Sequence, residues 1–136
     1  MGAVVGFRIH LICMDIENYT PQQLREIEYD YCRSHLEYFV TKYGHIEDKD
    51  AETLIQPFHL WDEQLNALRE FRDHKLNVIL KARQLGITWL TLHYALWKLI
   101  NPGRTVIGLS RTEDEAQELV RRMSVILDNM RALFAP

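Results

Sequence analysis

The sequence predicts an α/β fold in which N-terminal helices precede a βαβα unit with two parallel strands. Two short and almost continuous apolar runs, residues 76–82 (LNVILKA) and 104–110 (RTVIGLS), are typical of strands buried on both faces of a parallel sheet. A predicted helix follows each run, and this alternation favours parallel strands joined by a right-handed crossover. The predicted order is helix, helix, strand, loop, helix, strand, helix.

Helical spacing of apolar residues organises the N-terminal part of the chain. Thr20 is suited to cap a single helix that begins with Pro21 and ends at Gly44. The charged linker HIEDKDAETLIQP follows, and a second helix is predicted to begin near Asp62. The expected parts of the chain are an N-terminal extension at 1–19, a helix and linker at 20–57, and an α/β domain at 58–136.

The segments after the two apolar runs are predicted helices. WLTLHYALWKLI, residues 89–100, is apolar almost all round, which indicates a buried helix, and NPG at 101–103 stops it. Thr112 is placed to cap the last helix, whose first turn carries acids that suit the positive end of the helix dipole. LSRT, residues 109–112, could contact DNA or couple hydrolysis to movement, but a helix cap is the simpler interpretation.

Composition indicates an ordinary globular chain, with 47% hydrophobic and 26% charged residues and no repeat. Residues 1–75 carry 8 Lys/Arg against 14 Asp/Glu, whereas residues 76–136 carry 8 against 5. The second part is therefore the one we expect to meet phosphate, although a solvated surface would show the same excess. Cys13 and Cys32 lack the spacing of a zinc or disulfide site, so we expect them to be apolar packing residues.

The first thirteen residues are mostly apolar, but their pattern is not the one expected of a signal peptide or a membrane span. Arg8 and His10 interrupt the run, which lacks a basic start and a small-residue cleavage site and is too short to span a membrane. Met14 offers an alternative start, in which case the preceding residues would be a non-native extension.

LKARQLGIT, residues 80–88, is similar to a phosphate-binding loop with altered positions. In the pattern G-x-x-x-x-G-K-S/T, Gly86 and Thr88 match, but Lys81 replaces the first glycine and Ile87 replaces the lysine. The context suits a phosphate cradle, because a predicted strand leads into the loop and a helix N-terminus follows it. The spacing of these residues alone does not distinguish a nucleotide-binding loop from a Gly-x-Thr pattern that occurs by chance after a strand.

The chemistry of the loop residues is compatible with phosphate. Gly86 lets the backbone approach closely, and Thr88 can offer its hydroxyl to Mg²⁺. Ile87 cannot supply the cation that neutralises the β- and γ-phosphates. Lys81 at the end of the predicted strand, or Arg83 with its forked guanidinium, could supply it instead.

Three blocks of the sequence resemble one family. KARQLGITWL resembles the deviant phosphate-binding loop of large terminase subunits, the DNA-packaging motors of tailed bacteriophages, where the lysine begins the loop and an arginine lies inside it. PFHLWDEQLNAL resembles the segment that this family places before the loop, and EYDYCRSHLEYFVTKYGHIEDKD is similar to its N-terminal helix and linker. The blocks cover about residues 24–120. This resemblance implies an incomplete P-loop NTPase core, a partial ATPase domain, at residues 58–136.

The resemblance also implies ATP and Mg²⁺ as cofactors. Lys81 would bind the β- and γ-phosphates, Arg83 would be the catalytic arginine that senses or stabilises the γ-phosphate, and Thr88 would hold Mg²⁺ through the nucleotide. Gln64 would read the adenine edge, since its amide offers both a donor and an acceptor. The implied nucleotide-binding residues are Gln64, Lys81, Ala82, Arg83, Gln84, Leu85, Gly86, Ile87 and Thr88.

Acidic residues that hydrolysis needs are not found in the expected place. Such an ATPase needs an acid for the Mg²⁺ shell and a carboxylate for the attacking water, usually an Asp-Glu pair after four apolar residues. HLICMDIE puts Asp15 before the loop, and VIGLSRTEDE puts its acids in a helix start. We therefore expect the N-terminal portion of a motor, a truncated product or a fragment without the nuclease domain, that hydrolyses ATP weakly or not at all.

The implied partners are double-stranded DNA, the small terminase subunit, the portal protein and further copies of the chain. The implied location is the cytoplasm of a bacterial host, without membrane contact. Two alternatives stay open: a fragment of a helicase-like DNA translocase, against which Ile87 argues, and a non-catalytic prophage remnant or interaction module.

Overall fold

The computed structural model describes residues 19–82 and 84–130, and within these ranges it is a helical fold with one small sheet. The helices are α1 (Pro21–Ser34), α2 (Leu36–Tyr43), α3 (Asp62–Asp73), α4 (Ile87–Leu99) and α5 (Glu113–Asn129), and the strands are β1 (His45–Glu47) and β2 (Ile55–Pro57). This mixture of helix and strand agrees with the α/β class at a coarse level. None of the described helices is long and apolar enough to cross a lipid bilayer.

The start of α1 is capped as predicted, but the single helix expected up to Gly44 is wrong. The Thr20 hydroxyl accepts a hydrogen bond from the Gln23 amide (3.3 Å), and the Gln23 side chain accepts one from the Thr20 amide (2.8 Å). His35, with φ −127° and ψ 85°, interrupts the helix, and its ring contacts the Tyr31 carbonyl at 2.9 Å. The change of direction lets the separate helix α2 bury Phe39 and its neighbours in the core.

A small antiparallel hairpin occupies the charged linker, where no strand was predicted. β1 pairs with β2 so that Ile46 lies opposite Gln56. Strands of three residues are too short to show alternation of apolar and polar positions, so the sequence carries no signal for them.

Helix α4 lies at the centre of the core, and the prediction of a buried helix is confirmed. It packs against α2, α3 and α5. The Trp97 indole donates to the Cys32 carbonyl (3.0 Å), and the Tyr94 hydroxyl donates to the Phe71 carbonyl (2.7 Å), which joins α4 to α1 and α3. Cys32 is fully buried as predicted, and burial raises the pKa of its thiol to about 12. Cys13 lies outside the described residues.

The two predicted parallel strands are wrong. Residues 76–82 and 104–110 are neither strands nor buried: Leu80 is 101% exposed, Val78 91% and Ile107 80%. Strands form through hydrogen bonds to a neighbouring backbone, and apolar composition cannot replace such a neighbour. The only sheet within the described ranges is the β1–β2 pair, so no parallel crossover and no complete P-loop core are present there.

The cap of the last helix is confirmed. The Thr112 hydroxyl accepts from the Glu115 amide at 3.3 Å, and α5 begins at Glu113. Ser110 and Arg111 both donate to the Glu115 carboxylate, at 2.8 and 2.7 Å. In this structure LSRT therefore precedes the helix, and its last residue, Thr112, is the cap.

Candidate functional site

The loop before α4 has an unusual backbone. Gln84 (φ 63°) and Gly86 (φ 67°) both lie in the left-handed region, on either side of Leu85. The helix begins directly afterwards, with the Leu90 amide donating to the Gly86 carbonyl at 3.0 Å. Amides in the first turn of a helix have no intrahelical partner, and left-handed residues beside them are typical of anion-binding concavities. The turn and the helix N-terminus of a phosphate cradle are thus present, although the preceding strand is not.

A cavity of about 560 Å³ opens at this loop. This size suits a small-molecule ligand. The structure brings part of the predicted set together here, and the predicted residues that line the cavity are Lys81, Gln84, Gly86, Ile87 and Thr88.

Lys81 and Thr88 are two of the polar side chains of the predicted phosphate site that line the cavity, together with Gln84. Lys81 is exposed, and the single hydrogen bond that its ammonium makes to described residues is a long one, 3.4 Å, to the Ala82 carbonyl. Thr88 is half-buried at the cavity wall. One turn away, the Thr91 hydroxyl is instead bonded to the Ile87 carbonyl at 2.8 Å. A cation and a hydroxyl therefore border the same space.

Other members of the predicted set are placed differently. Ala82 and Leu85 are exposed but do not line this cavity. Arg83, the predicted catalytic arginine, lies outside the described residues.

Gln64 lies behind the loop and outside the cavity lining. It is 4% exposed; its oxygen accepts from the Trp61 amide (3.4 Å), and its nitrogen donates to the Leu85 carbonyl (3.0 Å). A Cβ on Gly86 would lie 2.8 Å from this nitrogen, so the glycine allows the contact. Gln64 thus fixes the loop to the start of α3, and its contact with adenine stays a prediction.

The two aromatic residues near Gln64 differ in their surroundings. Phe58 is 4% exposed and packs on the His93 ring, with centroids 5.1 Å apart, so it belongs to the core. Trp61 is 52% exposed and retains a free aromatic surface.

A buried histidine holds the hairpin against α4. His93 Nε2 accepts from the His45 amide at 3.1 Å, and His93 Nδ1 lies 2.6 Å from the Trp89 carbonyl. These partners require a neutral ring with its proton on Nδ1. Burial lowers the pKa of His93 to about 4, which agrees with a neutral ring.

The rest of the cavity lining was not predicted from the sequence. Asp48, Lys49 and Asp50 of the β1–β2 loop line the cavity, as do Trp89 of α4 and Arg122 of α5. The charged character of the linker was visible in the sequence, but its position at the same cavity as the phosphate loop depends on contacts between distant segments.

Two arginines of α5 contact residues that line the cavity. Arg121 forms two hydrogen bonds to the Glu47 carboxylate, at 2.7 and 2.6 Å. Arg122 is bonded to Glu118 at 2.8 Å and lies over the Trp89 ring at 5.4 Å. The described residues contain no cluster of three His, Cys, Asp or Glu side chains that could hold a metal ion by itself. The charged side chains that line the cavity are of both signs: Glu47, Asp48 and Asp50 are acidic, and Lys49, Lys81 and Arg122 are basic.

A second cavity of about 430 Å³ lies between α4, α5 and residues 106–109. Its lining includes Leu92, Val106, Leu119 and Met123 and is mostly apolar. It offers little chemistry for a charged ligand.

Comparisons with protein-family models, with curated proteins and with solved structures give no match to this chain.

Proposed function

We propose that this chain is the nucleotide-binding part of a DNA-packaging ATPase of the large-terminase kind and binds ATP with Mg²⁺ at residues 81–88. The observation that carries the proposal is the cavity of about 560 Å³ at the N-terminus of α4, which Lys81 and Thr88 line. A helix N-terminus with a nearby cation is a favourable environment for phosphate.

Phosphate binding would depend on charge that the loop supplies from an unusual position. Lys81 has no acidic partner among the described residues, so its ammonium is available to an anion. Thr88 would offer its hydroxyl to Mg²⁺ held by the nucleotide, and bound Mg²⁺ would neutralise part of the phosphate charge. Arg83 would act as a second loop cation.

Adenine recognition by Gln64 is proposed with one condition. One N–H of the amide is bonded to the Leu85 carbonyl, and the oxygen to the Trp61 amide. The base would therefore meet the second N–H, or the amide would turn when the nucleotide binds. Trp61 lies three residues before Gln64, and its exposed ring offers an aromatic surface on which the base could stack.

ATP hydrolysis by this chain is proposed to be weak or absent, because the sequence after the loop shows no Asp-Glu pair that directly follows an apolar run. As in the family that it resembles, its partners would be double-stranded DNA, a small terminase subunit, a portal protein and further copies of itself. Turnover that is fast and is abolished by Lys81→Ala would contradict weak hydrolysis.

The test is a calorimetric titration of the folded chain with ATP and Mg²⁺. We expect Lys81→Ala to weaken binding roughly tenfold or more, since a charge-assisted hydrogen bond to phosphate is lost. Lys75→Ala is the matched control, because Lys75 is also exposed but does not line the cavity. Absence of binding at millimolar ATP would refute the proposed function.

An interaction module without turnover is the second candidate. Its support is the exposure of Leu76, Val78 and Leu80 before the loop and of Ile107 and Leu109 after α4. Exposed apolar segments of this kind often mark surfaces that another chain covers. A chain that binds no nucleotide but forms a defined complex through these residues would favour this candidate.

A further inference from the structure

Part of the cavity lining belongs to the β1–β2 hairpin. Residues 48–54 connect the two strands, and the Asp48 amide donates to the Leu54 carbonyl at 2.8 Å to close the base of this connection. Its first residues, Asp48, Lys49 and Asp50, share the cavity of about 560 Å³ with Lys81 and Thr88.

Contacts with the helices fix the position of this hairpin. The His45 amide is bonded to the buried His93 ring of α4, and Glu47 is bonded twice to Arg121 of α5. The Phe58 amide, just after β2, donates to the Gly44 carbonyl at 2.8 Å. Because both ends of the hairpin are held, Lys49 is presented to the cavity by a supported segment.

Glu47, Asp48 and Arg122, three of the six charged residues in the described lining of the cavity, have partners for their charged groups. Glu47 is paired with Arg121, and Arg122 with Glu118. The Asp48 carboxylate accepts a hydrogen bond from the Asp50 amide at 3.0 Å. Within the described ranges, by contrast, neither Lys49 nor Lys81 is ion-paired with a carboxylate. Two ammonium groups, from separate segments, are therefore available to one ligand.

We propose that Lys49 is a second phosphate-binding cation, which contacts the polyphosphate of the bound nucleotide from the hairpin while Lys81 contacts it from the loop. This inference rests on the proposed nucleotide site. Ile87 leaves the position of the usual loop lysine apolar, and Lys49 supplies positive charge to the same cavity from a distant part of the chain. A polyphosphate has several oxygens, so two ammonium groups can bind it together.

Glu47, Asp48 and Asp50 also line the cavity, and the charges of these carboxylates oppose an anion. A carboxylate repels phosphate, and Mg²⁺ bound to the phosphates reduces this repulsion. The contribution of Lys49 to binding therefore depends on how much phosphate charge Mg²⁺ neutralises. A ligand with several phosphates interacts more strongly with the Lys49 ammonium than a monophosphate does. The number of phosphates is therefore the variable that tests the assignment.

The experiment compares the wild-type chain with Lys49→Gln, Lys49→Arg and the control Lys75→Gln. Each is titrated with ATP, AMP and inorganic tripolyphosphate in the presence of Mg²⁺, and a thermal melt checks folding. For Lys49→Gln we expect roughly tenfold weaker binding of ATP and tripolyphosphate and a change of less than about twofold for AMP. Lys49→Arg keeps the charge and should stay within about threefold of wild type.

The outcomes separate this inference from the proposed function. If wild-type chain binds ATP and Lys49→Gln binds it equally well, Lys49 has no role in the site while the nucleotide site stands. If wild-type chain binds neither ATP nor tripolyphosphate, both ideas fail. If Lys49→Gln weakens the binding of AMP as much as the binding of ATP, Lys49 does not contact the polyphosphate and the assignment is overturned.

Discussion

The Gln64 side-chain amide donates a 3.0 Å hydrogen bond to the Leu85 carbonyl and so joins the first turn of α3 to the phosphate loop. The same amide accepts from the Trp61 backbone and is almost completely buried. A loop with two left-handed residues is held in one shape by this contact. Gln64 thus positions the loop whether or not it also meets a base.

Gln64→Ala should destabilise the fold by about 1–3 kcal/mol, because the Leu85 carbonyl and the Trp61 amide lose their buried partner. Urea denaturation measures the change. Glu63→Gln is the control on the same helix, since Glu63 is exposed, and it should stay within about 0.5 kcal/mol of wild type. Equal stability of Gln64→Ala and wild type would show that the contact does not hold the loop.

Gly86→Ala should destabilise more than Gly103→Ala. Both glycines have positive φ, 67° and 73°, so an alanine at either place costs about 1–2 kcal/mol in backbone strain. A Cβ at Gly86 also meets the Gln64 nitrogen at 2.8 Å, whereas one at Gly103 meets no atom within 4 Å. In a Gln64→Ala background this extra cost should disappear, and strictly additive free energies of unfolding would contradict the contact.

Stability should fall as the pH decreases from about 6.5 towards 4. Burial lowers the folded pKa of His93 from 6.5 to about 4, so the unfolded chain binds a proton in this range and the folded chain does not. This stability is fully present above pH 6.5, and its loss reaches about 3 kcal/mol by the pH at which the folded ring protonates. His45, the other ring near His93, adds to the lowering.

Free energies of unfolding measured from pH 7.5 to 4.5 test this dependence. His93→Gln removes the titrating ring and should flatten the curve, although it is expected to lower stability overall. His59→Gln changes an exposed histidine and should keep the wild-type slope. A His93→Gln curve as steep as wild type would assign the pH dependence to other groups.

Replacing exposed apolar residues before the loop should leave stability almost unchanged. Leu76 is 85% exposed and Val78 91%, so Leu76→Gln with Val78→Thr should change the free energy of unfolding by less than about 0.5 kcal/mol. The same variant should reduce concentration-dependent association in light scattering. Leu68→Ala, in the core, should cost about 2–5 kcal/mol as the contrast. A similar loss of stability on substitution at positions 76 and 78 would support the original prediction that these residues form a buried strand.

Local signals predicted the starts of α1 and α5, although they missed the break at His35. Thr20 and Thr112 were identified as caps from side chains that can accept from the next turn, and both do so. The centre of the core, α4, followed from a run with no polar face. These features depend on residues a few positions apart, so the sequence contains the whole interaction.

Pairing and contact between distant segments could not be predicted in this way. The apolar runs at 76–82 and 104–110 have strand composition but no described neighbour to pair with, whereas the short strands of the charged linker have one. In the candidate site, Gly86 and Thr88 were predicted from the loop pattern, and Lys81 was predicted as a replacement cation from its chemistry and the family resemblance. Lys49 was not, because the hairpin approaches the loop only through contacts such as His45–His93.

The sequence by itself determined the local features of this protein: capped helices, a buried central helix, and a loop with a cation displaced to Lys81. The tertiary structure decided where the chain is buried, which strands pair, and which charges share a cavity. The physical reason is the distance along the chain between the residues that interact. Capping and helical periodicity are satisfied within one or two turns, whereas strand pairing and the cavity wall require backbone and side-chain partners from far along the chain.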